Sequence, residues 1–289
     1  MPEPADRAPT QLSDSEVDLT KPSAARMYDW YLGGTSNWAV DRLFGKKAEE
    51  TWPQVKATAL HNRQFLRRVV QAALAAGIRQ FLDLGTGVPT VGNIHDVIRE
   101  HHLDPDDEAR VLYVDYEPVA AAHGRRVLAD DDVTDWGGLA QRDMRDPAAV
   151  FGDSERIRLL RMNQPVCVLF IAVLHFVGDG DHPMRLLDEY RRRVVPGSWI
   201  AISHASNDAA PPEGAANIQK VVDSYQKTSN PMWLRDRAAI TSWLDVEGWE
   251  LLKPGVVHPP DWRPKPGTKL NAKQEDARPY MWSGVASKN

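Results

Sequence analysis

The fold is decided by one short stretch, Phe81-Leu82-Asp83-Leu84-Gly85-Thr86-Gly87. Here an apolar run ends in an acid, and two glycines follow at once. A second apolar run at residues 111–114 also ends in an acid, Asp115. Two strand-like segments that each close on a carboxylate, the first followed by glycines, are typical of a nucleotide pocket at one edge of a parallel sheet.

The residues around the glycines indicate which nucleotide the pocket would take. A dinucleotide fold favours a third glycine three positions after Gly87, but the chain has Thr90 there, and no lysine follows in the pattern of a triphosphate loop. The carboxylate of Asp83, two residues before the first glycine, would repel a pyrophosphate. It suits a ligand with ammonium and sulfonium charges, which favours S-adenosylmethionine.

Two further strand ends complete the predicted cofactor site. Asp115 would accept hydrogen bonds from both ribose hydroxyls. Asp143 would take the adenine amino group, with Met144 beside the ring and Tyr116 against its face. A single acid of this kind is more often a helix N-cap or a solvated carboxylate. Three acids at three successive strand ends favour the ligand instead.

The rest of the chain alternates between strand and helix patterns, which predicts a doubly wound α/β sheet with right-handed crossovers. We expect a disordered tail at residues 1–20 and an N-terminal helical lid at 21–78. A Rossmann-like domain would fill 79–289, with a helical insertion at about 205–247 and a long surface loop at 254–278. The strands are expected near 80–84, 110–115, 139–143, 165–173, 198–203, 249–252 and 280–286.

Composition limits the classes of partner. The chain has 289 residues, of which 42% are hydrophobic, and this is enough for one large core. Its net charge of −5 offers no basic surface for nucleic acid. The only cysteine, Cys167, lies in an apolar run and cannot form an intrachain disulfide. With no signal-peptide pattern and no apolar run long enough for a bilayer, the sequence predicts a cytoplasmic protein with no membrane partner.

Taken together, these stretches resemble the class I S-adenosylmethionine-dependent methyltransferases. More narrowly, the chain resembles the bacterial S-adenosyl methyltransferase family, formerly domain of unknown function 574. The likeness runs from about Pro22 to the last predicted strand. Its further marks are residues 25–34, Asn37, Asp41-Arg42, residues 62–66, Gly87-Val88-Pro89-Thr90, residues 174–176 and residues 197–204.

The resemblance implies a seven-stranded Rossmann-like sheet whose last strand is antiparallel. It also implies S-adenosylmethionine as cofactor, with contacts at Asp83, Gly85, Gly87, Asp115 and Asp143, and Thr86 lies within the same turn. It implies no particular acceptor, because the family is named by its fold and cofactor.

Residues that could carry the chemistry are fewer, because methyl transfer mainly needs alignment of donor and acceptor. Arg63 could clamp the α-carboxylate of the cofactor, although a surface role is equally common for such an arginine. Tyr28 and Asp29 lie among aromatic residues of the first helix and could shape the acceptor site, whereas plain packing is the usual role of such rings. His175, directly after the fourth strand, is preferred over His204 as a base, although either could be structural. No metal site is expected.

Three functions remain open from the sequence. The first is a methyltransferase that acts on a small molecule of unknown identity. The second is a protein that binds S-adenosylmethionine as a sensor and recruits a partner without catalysis. The third is a nicotinamide-dependent oxidoreductase. It is weakened because no tyrosine is followed four residues later by the lysine that short-chain dehydrogenases need. The sequence leaves the oligomeric state open.

Overall fold

A single sheet of seven strands organises the molecule, in the order β3-β2-β1-β4-β5-β7-β6. The structure is a computed structural model that describes residues 21–88, 92–101 and 108–289. The tail predicted at residues 1–20 and the pair Pro89-Thr90 therefore lie outside the described residues. The strands are β1 Gln80–Leu84, β2 Arg110–Asp115, β3 Gly137–Gln141, β4 Cys167–Ile171, β5 Trp199–Ala205, β6 Trp249–Leu251 and β7 Met281–Lys288.

The strand order creates a crevice in the middle of the sheet. From β1 the chain runs outward through β2 and β3, then crosses back to β4 and β5 on the other side of β1. The five strands are parallel, and β7 pairs antiparallel with both β5 and β6. Ligands of such sheets bind where the order reverses, outside the carboxyl ends of the strands. The predicted fold class, including the antiparallel last strand, is confirmed.

Helices cover both faces of the sheet, and local signals explain several of their ends. Pro118 and Pro147 stand at the first turns of α5 and α6, behind the capping carboxylates of Glu117 and Asp146. The helices are α1 Ala24–Tyr31, α2 Ala39–Thr51, α3 Val55–Ala75, α4 Ile94–Glu100, α5 Pro118–Asp130, α6 Pro147–Gly152, α7 Ser154–Leu159, α8 Pro183–Arg192, α9 Pro212–Tyr225, α10 Arg237–Leu244 and α11 Ala272–Ala277.

The central strands are buried on both sides, as their continuous apolar runs predict. Leu82 of β1 and Val168 of β4 belong to the core beneath α6, α7 and α8. Their neighbours Phe81 and Leu169 belong to the core beneath α3, α4 and α5. The segment predicted as one lid is thus used in two ways: α3 packs on the sheet, whereas α1 and α2 pack with α9 in a third cluster.

The segment predicted as a surface loop at 254–278 is exposed over much of its length but more ordered than expected. It contains helix α11 and a single 3₁₀ turn at Pro259–Asp261. Trp262 is fully buried, with its ring edge-on to Phe65 at 5.5 Å between centroids. The proline and charge content of the segment concealed this one anchoring aromatic side chain.

Other elements also differ from the sequence-based expectation. Helix α6 has no counterpart among the predicted elements. The strand expected at 165–173 ends at Ile171, because Ala172 has φ +54 and turns the chain out of the sheet. Within the described residues, no helix combines the length and apolar character needed to cross a membrane.

The buried position of Trp262 yields a stability prediction. Replacing Trp262 with alanine should lower the free energy of unfolding by about 3 kcal/mol, since a large cavity would remain against Phe65. Leu43, which is 73% exposed, is the control, and its change to alanine should cost less than about 0.5 kcal/mol. Urea unfolding measures both. Equal losses in the two variants would contradict an anchoring role for Trp262.

Candidate functional site

A cavity lies at the carboxyl edge of the sheet, between the ends of β1, β2, β4 and β5 on one side and α1, α3 and α9 on the other. It brings together nearly all residues that the sequence predicted for the site. The predicted residues that line it are Tyr28, Arg63, Asp83, Gly85, Thr86, Gly87, Asp115, Tyr116, Asp143, Met144 and His175.

Asp83 ends inside the crevice and is only 6% exposed. One of its carboxylate oxygens accepts a hydrogen bond of 2.6 Å from the Thr86 hydroxyl. Burial raises the pKa of Asp83 to about 6, although the Thr86 hydrogen bond and the Arg63 charge oppose the rise. A carboxylate held at this position is under-compensated and gains from a cationic ligand.

Arg63 lines the same cavity from α3, and its Nε is buried without a hydrogen-bond partner among the described residues. Its guanidinium carbon lies 5.8 Å from the centre of the Tyr28 ring. A buried guanidinium atom without a partner is costly, and this cost disappears when an anion enters. Arg63 and Asp83 therefore offer one positive and one negative group to a ligand that carries both charges.

Asp115 ends β2 and is also 6% exposed, and burial raises its pKa to about 6. Its two oxygens accept the backbone N–H groups of Gly87 at 2.7 Å and of Glu117 at 2.9 Å. Each carboxylate oxygen has two lone pairs. The group can therefore still accept two hydroxyl hydrogen bonds from a ligand.

The two glycines of the turn serve different purposes. Both lie in the left-handed region, with φ +67 at Gly85 and φ +66 at Gly87. A Cβ on Gly85 would lie 2.1 Å from the Val173 side chain at the exit of β4, whereas a Cβ on Gly87 would approach only Ala25, at 3.8 Å. The first glycine is thus required by packing between two strand exits, and the second leaves room facing the cavity.

The residues predicted to hold a purine ring are arranged less simply. Asp143 accepts several hydrogen bonds from Arg145, and these outweigh burial and lower the pKa of Asp143. Met144 is buried, and Tyr116 is 43% exposed. The side-chain Nδ2 of Asn230 donates to the Tyr116 hydroxyl, and Oδ1 of Asn230 accepts a hydrogen bond of 3.0 Å from the Ala24 N–H. One asparagine therefore joins α1, the loop after α9 and the end of β2.

Tyr28 is held by a chain of hydrogen bonds that starts at the sheet. The Ala172 N–H donates to Ser203 Oγ at 2.9 Å, and Ser203 donates to Asn62 Oδ1 at 2.5 Å. Asn62 Nδ2 then donates to the Tyr28 hydroxyl at 2.8 Å, and Tyr28 donates to the Ala59 carbonyl at 3.2 Å. Burial raises the pKa of Tyr28, so the phenol stays protonated near neutral pH. Its role in catalysis stays a prediction.

The two candidate histidines are separated clearly by their surroundings. His204 is fully buried: its Nδ1–H donates to the Ala205 carbonyl at 2.8 Å, and Arg235 donates to its Nε2 at 3.2 Å. His175 lines the cavity, and its Nδ1 receives only a long contact of 3.5 Å from the Ala205 N–H. Burial, His204 and Arg235 together hold the pKa of His175 well below its usual range, so its ring is neutral at pH 7.

Asp29 does not join the site. It is fully buried outside the cavity lining, where it accepts a hydrogen bond of 2.7 Å from Asn37 Nδ2 and so fixes the connection between α1 and α2. A contribution of Asp29 to an acceptor site stays a prediction, and its position outside the cavity lining speaks against it. Neighbouring residues of a helix point in different directions, and here Tyr28 faces the cavity in place of Asp29.

Sequence reasoning missed the residue that docks α1 onto the site. Arg26 is 2% exposed, and it pairs with Asp41 at 2.7 Å and with Glu117 at 2.9 Å. Glu117 lines the cavity and follows Asp115 by two residues. The sequence gives no sign that an arginine near the start of a helix is buried. The signal would have been its two acidic partners, which are distant along the chain and come together only in the fold.

A second cluster lies away from the cavity. His95, Asp96 and Asp131 bring possible metal-ligand atoms within reach of one another. The His95 ring already has partners at both nitrogens, with Tyr113 Oη at 2.8 Å from Nδ1 and Asp131 Oδ2 at 3.0 Å from Nε2. These contacts account for the cluster as a hydrogen-bonded histidine.

Comparisons with known proteins agree with this geometry. A family model described as S-adenosyl methyltransferase matches residues 10–289. The chain is 31% identical to a crystallised protein of Thermobifida fusca YX with a provisional methyltransferase designation, covering 94% of this chain and 97% of that one, with a TM-score of 0.82. It is 30% identical to a DUF574 family protein of Streptomyces avermitilis MA-4680, with coverages of 93% and 98% and a TM-score of 0.81.

More distant structures share the fold alone. An O-methyltransferase family protein of Burkholderia thailandensis is 14% identical, with coverages of 82% and 58% and a TM-score of 0.51. No curated protein sequence matches the chain significantly.

The two glycines provide a matched pair for a stability measurement. Alanine at either position meets the same left-handed backbone, which costs about 1 kcal/mol. Gly85→Ala should lose about 1–3 kcal/mol more than Gly87→Ala, because only its Cβ overlaps Val173. Chemical denaturation of both variants tests this. A Gly87→Ala variant as unstable as Gly85→Ala would contradict the packing explanation.

The raised pKa of Asp83 predicts a dependence of stability on pH. The folded protein holds this proton up to about pH 6, whereas the ordinary pKa of an aspartate side chain is 3.8. Stability is therefore lost as the pH rises through this window. Asp83→Asn should stabilise the ligand-free protein at pH 7.5, and the gain should be about 1 kcal/mol smaller at pH 5.

Asp143 is the control for that measurement, because its pKa is lowered and its contribution has the opposite sign. Asp143→Asn should not stabilise the protein at pH 7.5. Thermal melting of both variants between pH 5 and pH 8 provides the comparison. A gain for Asp83→Asn that is unchanged across this range would show that the carboxylate is not under-compensated.

Proposed function

The chain belongs to the S-adenosyl methyltransferase family, and from this premise we propose that it transfers a methyl group from S-adenosylmethionine to a small-molecule acceptor. The observation that carries the proposal is the pairing of Arg63 and Asp83 in one cavity. A guanidinium atom that has no partner among the described residues and an under-compensated carboxylate match the carboxylate and ammonium of the cofactor's amino-acid part.

The remaining residues of this part of the cavity fit the rest of the cofactor. Asp115 has free lone pairs for the two ribose hydroxyls, and Gly85 and Gly87 form the tight turn after β1 that lies beside it. Tyr116 and Met144 can flank the adenine ring. When bound, the cofactor supplies a methyl group that is electrophilic because its sulfur carries a positive charge.

The protein's own contribution is to align the acceptor and to keep water out. Arg26 ties α1 to Glu117, and Asn230 ties the loop after α9 to Tyr116, so both segments close over the cavity. His175 is neutral, and its Nδ1 faces the Ala205 amide. We assign the ring proton to Nε2 on the basis of this 3.5 Å contact, and the ring would then donate a hydrogen bond to an acceptor oxygen.

A matched pair of arginines on α3 tests the cofactor assignment. Arg63→Gln should weaken binding of S-adenosylhomocysteine about 10- to 100-fold, since a charged hydrogen bond is worth about 1.5–3 kcal/mol. Arg67, a partly exposed residue of the same helix that pairs with Glu100, is the control, and Arg67→Gln should change the affinity less than about two-fold. Calorimetry measures both. Unchanged affinity in Arg63→Gln would contradict the assignment.

A second experiment separates the enzyme from the two alternative functions. Wild-type protein, methyl-labelled S-adenosylmethionine and a metabolite extract should yield a labelled small molecule. Tight cofactor binding with no labelled product across several extracts would favour a sensor. Binding of NAD but not of S-adenosylhomocysteine would favour an oxidoreductase and contradict the proposal.

A further inference from the structure

The cavity changes character along its length. Its charged lining residues lie at the ends of β1, β2 and β3, apart from Arg63, which faces Asp83 from α3. Among the described lining residues, none that follows Arg145 in the sequence carries a formal charge. We call the first part the cofactor half. The charged residues of the lining are Arg63, Asp83, Asp115, Glu117, Arg142, Asp143 and Arg145.

The other part, which we call the acceptor half, is walled by apolar side chains from two directions. Helix α9 presents Ile218, Val221 and Val222, which are all buried. Tyr31 at the end of α1 and Trp52 after α2 line the opposite wall. These five residues belong to one hydrophobic cluster, so the wall of the acceptor half is part of the packed core.

A series of rings connects the two halves. The His175 ring at the exit of β4 lies 4.4 Å from the Phe176 ring, and Phe176 lies 6.2 Å from the ring of Tyr225 on α9. All three line the cavity. The rings therefore extend from the strand exits, where the cofactor half ends, into the acceptor half. Aromatic faces at such spacing favour contact with another flat ring.

Resting on the methyltransferase function proposed above, we propose that the acceptor is an uncharged molecule with a flat, apolar ring system and a neutral nucleophilic group. A phosphate, a carboxylate or a protonated amine in the acceptor half would be buried without a counter-charge among the described residues, which costs several kcal/mol. The polar groups there are neutral: the imidazole of His175, and the buried Tyr31 hydroxyl and Trp52 indole N–H, which have no hydrogen-bond partner among the described residues. They suit a hydroxyl group.

Three probes with the same ring test this inference at pH 7.5. These are 2-naphthol, 2-naphthoate and protonated 2-(aminomethyl)naphthalene, each titrated into protein saturated with S-adenosylhomocysteine. We expect 2-naphthol to bind at least ten-fold more tightly than either charged probe. Equal or tighter binding of a charged probe, or no binding of 2-naphthol, would overturn the inference. Failure of S-adenosylhomocysteine itself to bind would instead remove the proposed function, so the two failures are distinguishable.

A positive charge placed in the apolar wall should weaken or remove the preference for 2-naphthol over 2-naphthoate. Val222→Lys puts an ammonium on the cavity side of α9, and the ratio of 2-naphthoate to 2-naphthol affinity should rise at least ten-fold. Gln219→Lys, on the exposed side of the same helix, is the control and should leave the ratio unchanged. Met232→Lys, in the loop that also lines the cavity, replaces Val222→Lys if that variant does not bind S-adenosylhomocysteine. An unchanged ratio in the folded variant would contradict the proposal.

Discussion

The candidate site depends on the burial of two carboxylates, Asp83 and Asp115, at the neighbouring ends of β1 and β2. Each has its pKa raised to about 6 by burial, so each resists ionisation in the ligand-free protein. The hydroxyl of Thr86 and the N–H of Gly87 compensate for part of that cost. The remaining cost can be recovered when a ligand places a positive charge beside Asp83 and hydroxyl groups beside Asp115, and stability given up in this way is common at functional sites.

The same turn that holds Asp115 also holds α1. Glu117 caps α5, accepts a hydrogen bond from Arg26 and lines the cavity. Because Arg26 and Asp41 are buried, the position of α1 is fixed by groups that cannot exchange their partners for water without cost. The end of β2 and the position of α1 therefore depend on one residue, Glu117.

The sheet and the cofactor side of the cavity were largely predictable, because the period of apolar residues and the position of acids along the chain determine them. Apolar runs that end in acids placed Asp83 and Asp115 together, since the carboxyl ends of parallel strands share one edge. The choice between Tyr28 and Asp29 was not predictable, because it depends on which side of α1 faces the cavity, and contacts with α3 decide this. The preference for His175 over His204 followed from its position after the fourth strand, but the Arg235 contact that occupies the His204 ring could not be foreseen. Trp262 was missed because composition describes a segment and not its single anchor.

The placement of β7 has a consequence for folding during synthesis. This strand lies between β5 and β6, so the edge of β5 stays unpaired until residues 281–288 have been synthesised. Because β5 and β7 are far apart along the chain, their pairing is expected to be slow. A ribosome that stalls before residue 281 would leave a nascent sheet with an unpaired, aggregation-prone edge at β5. Such incomplete chains are natural clients for chaperones and proteases.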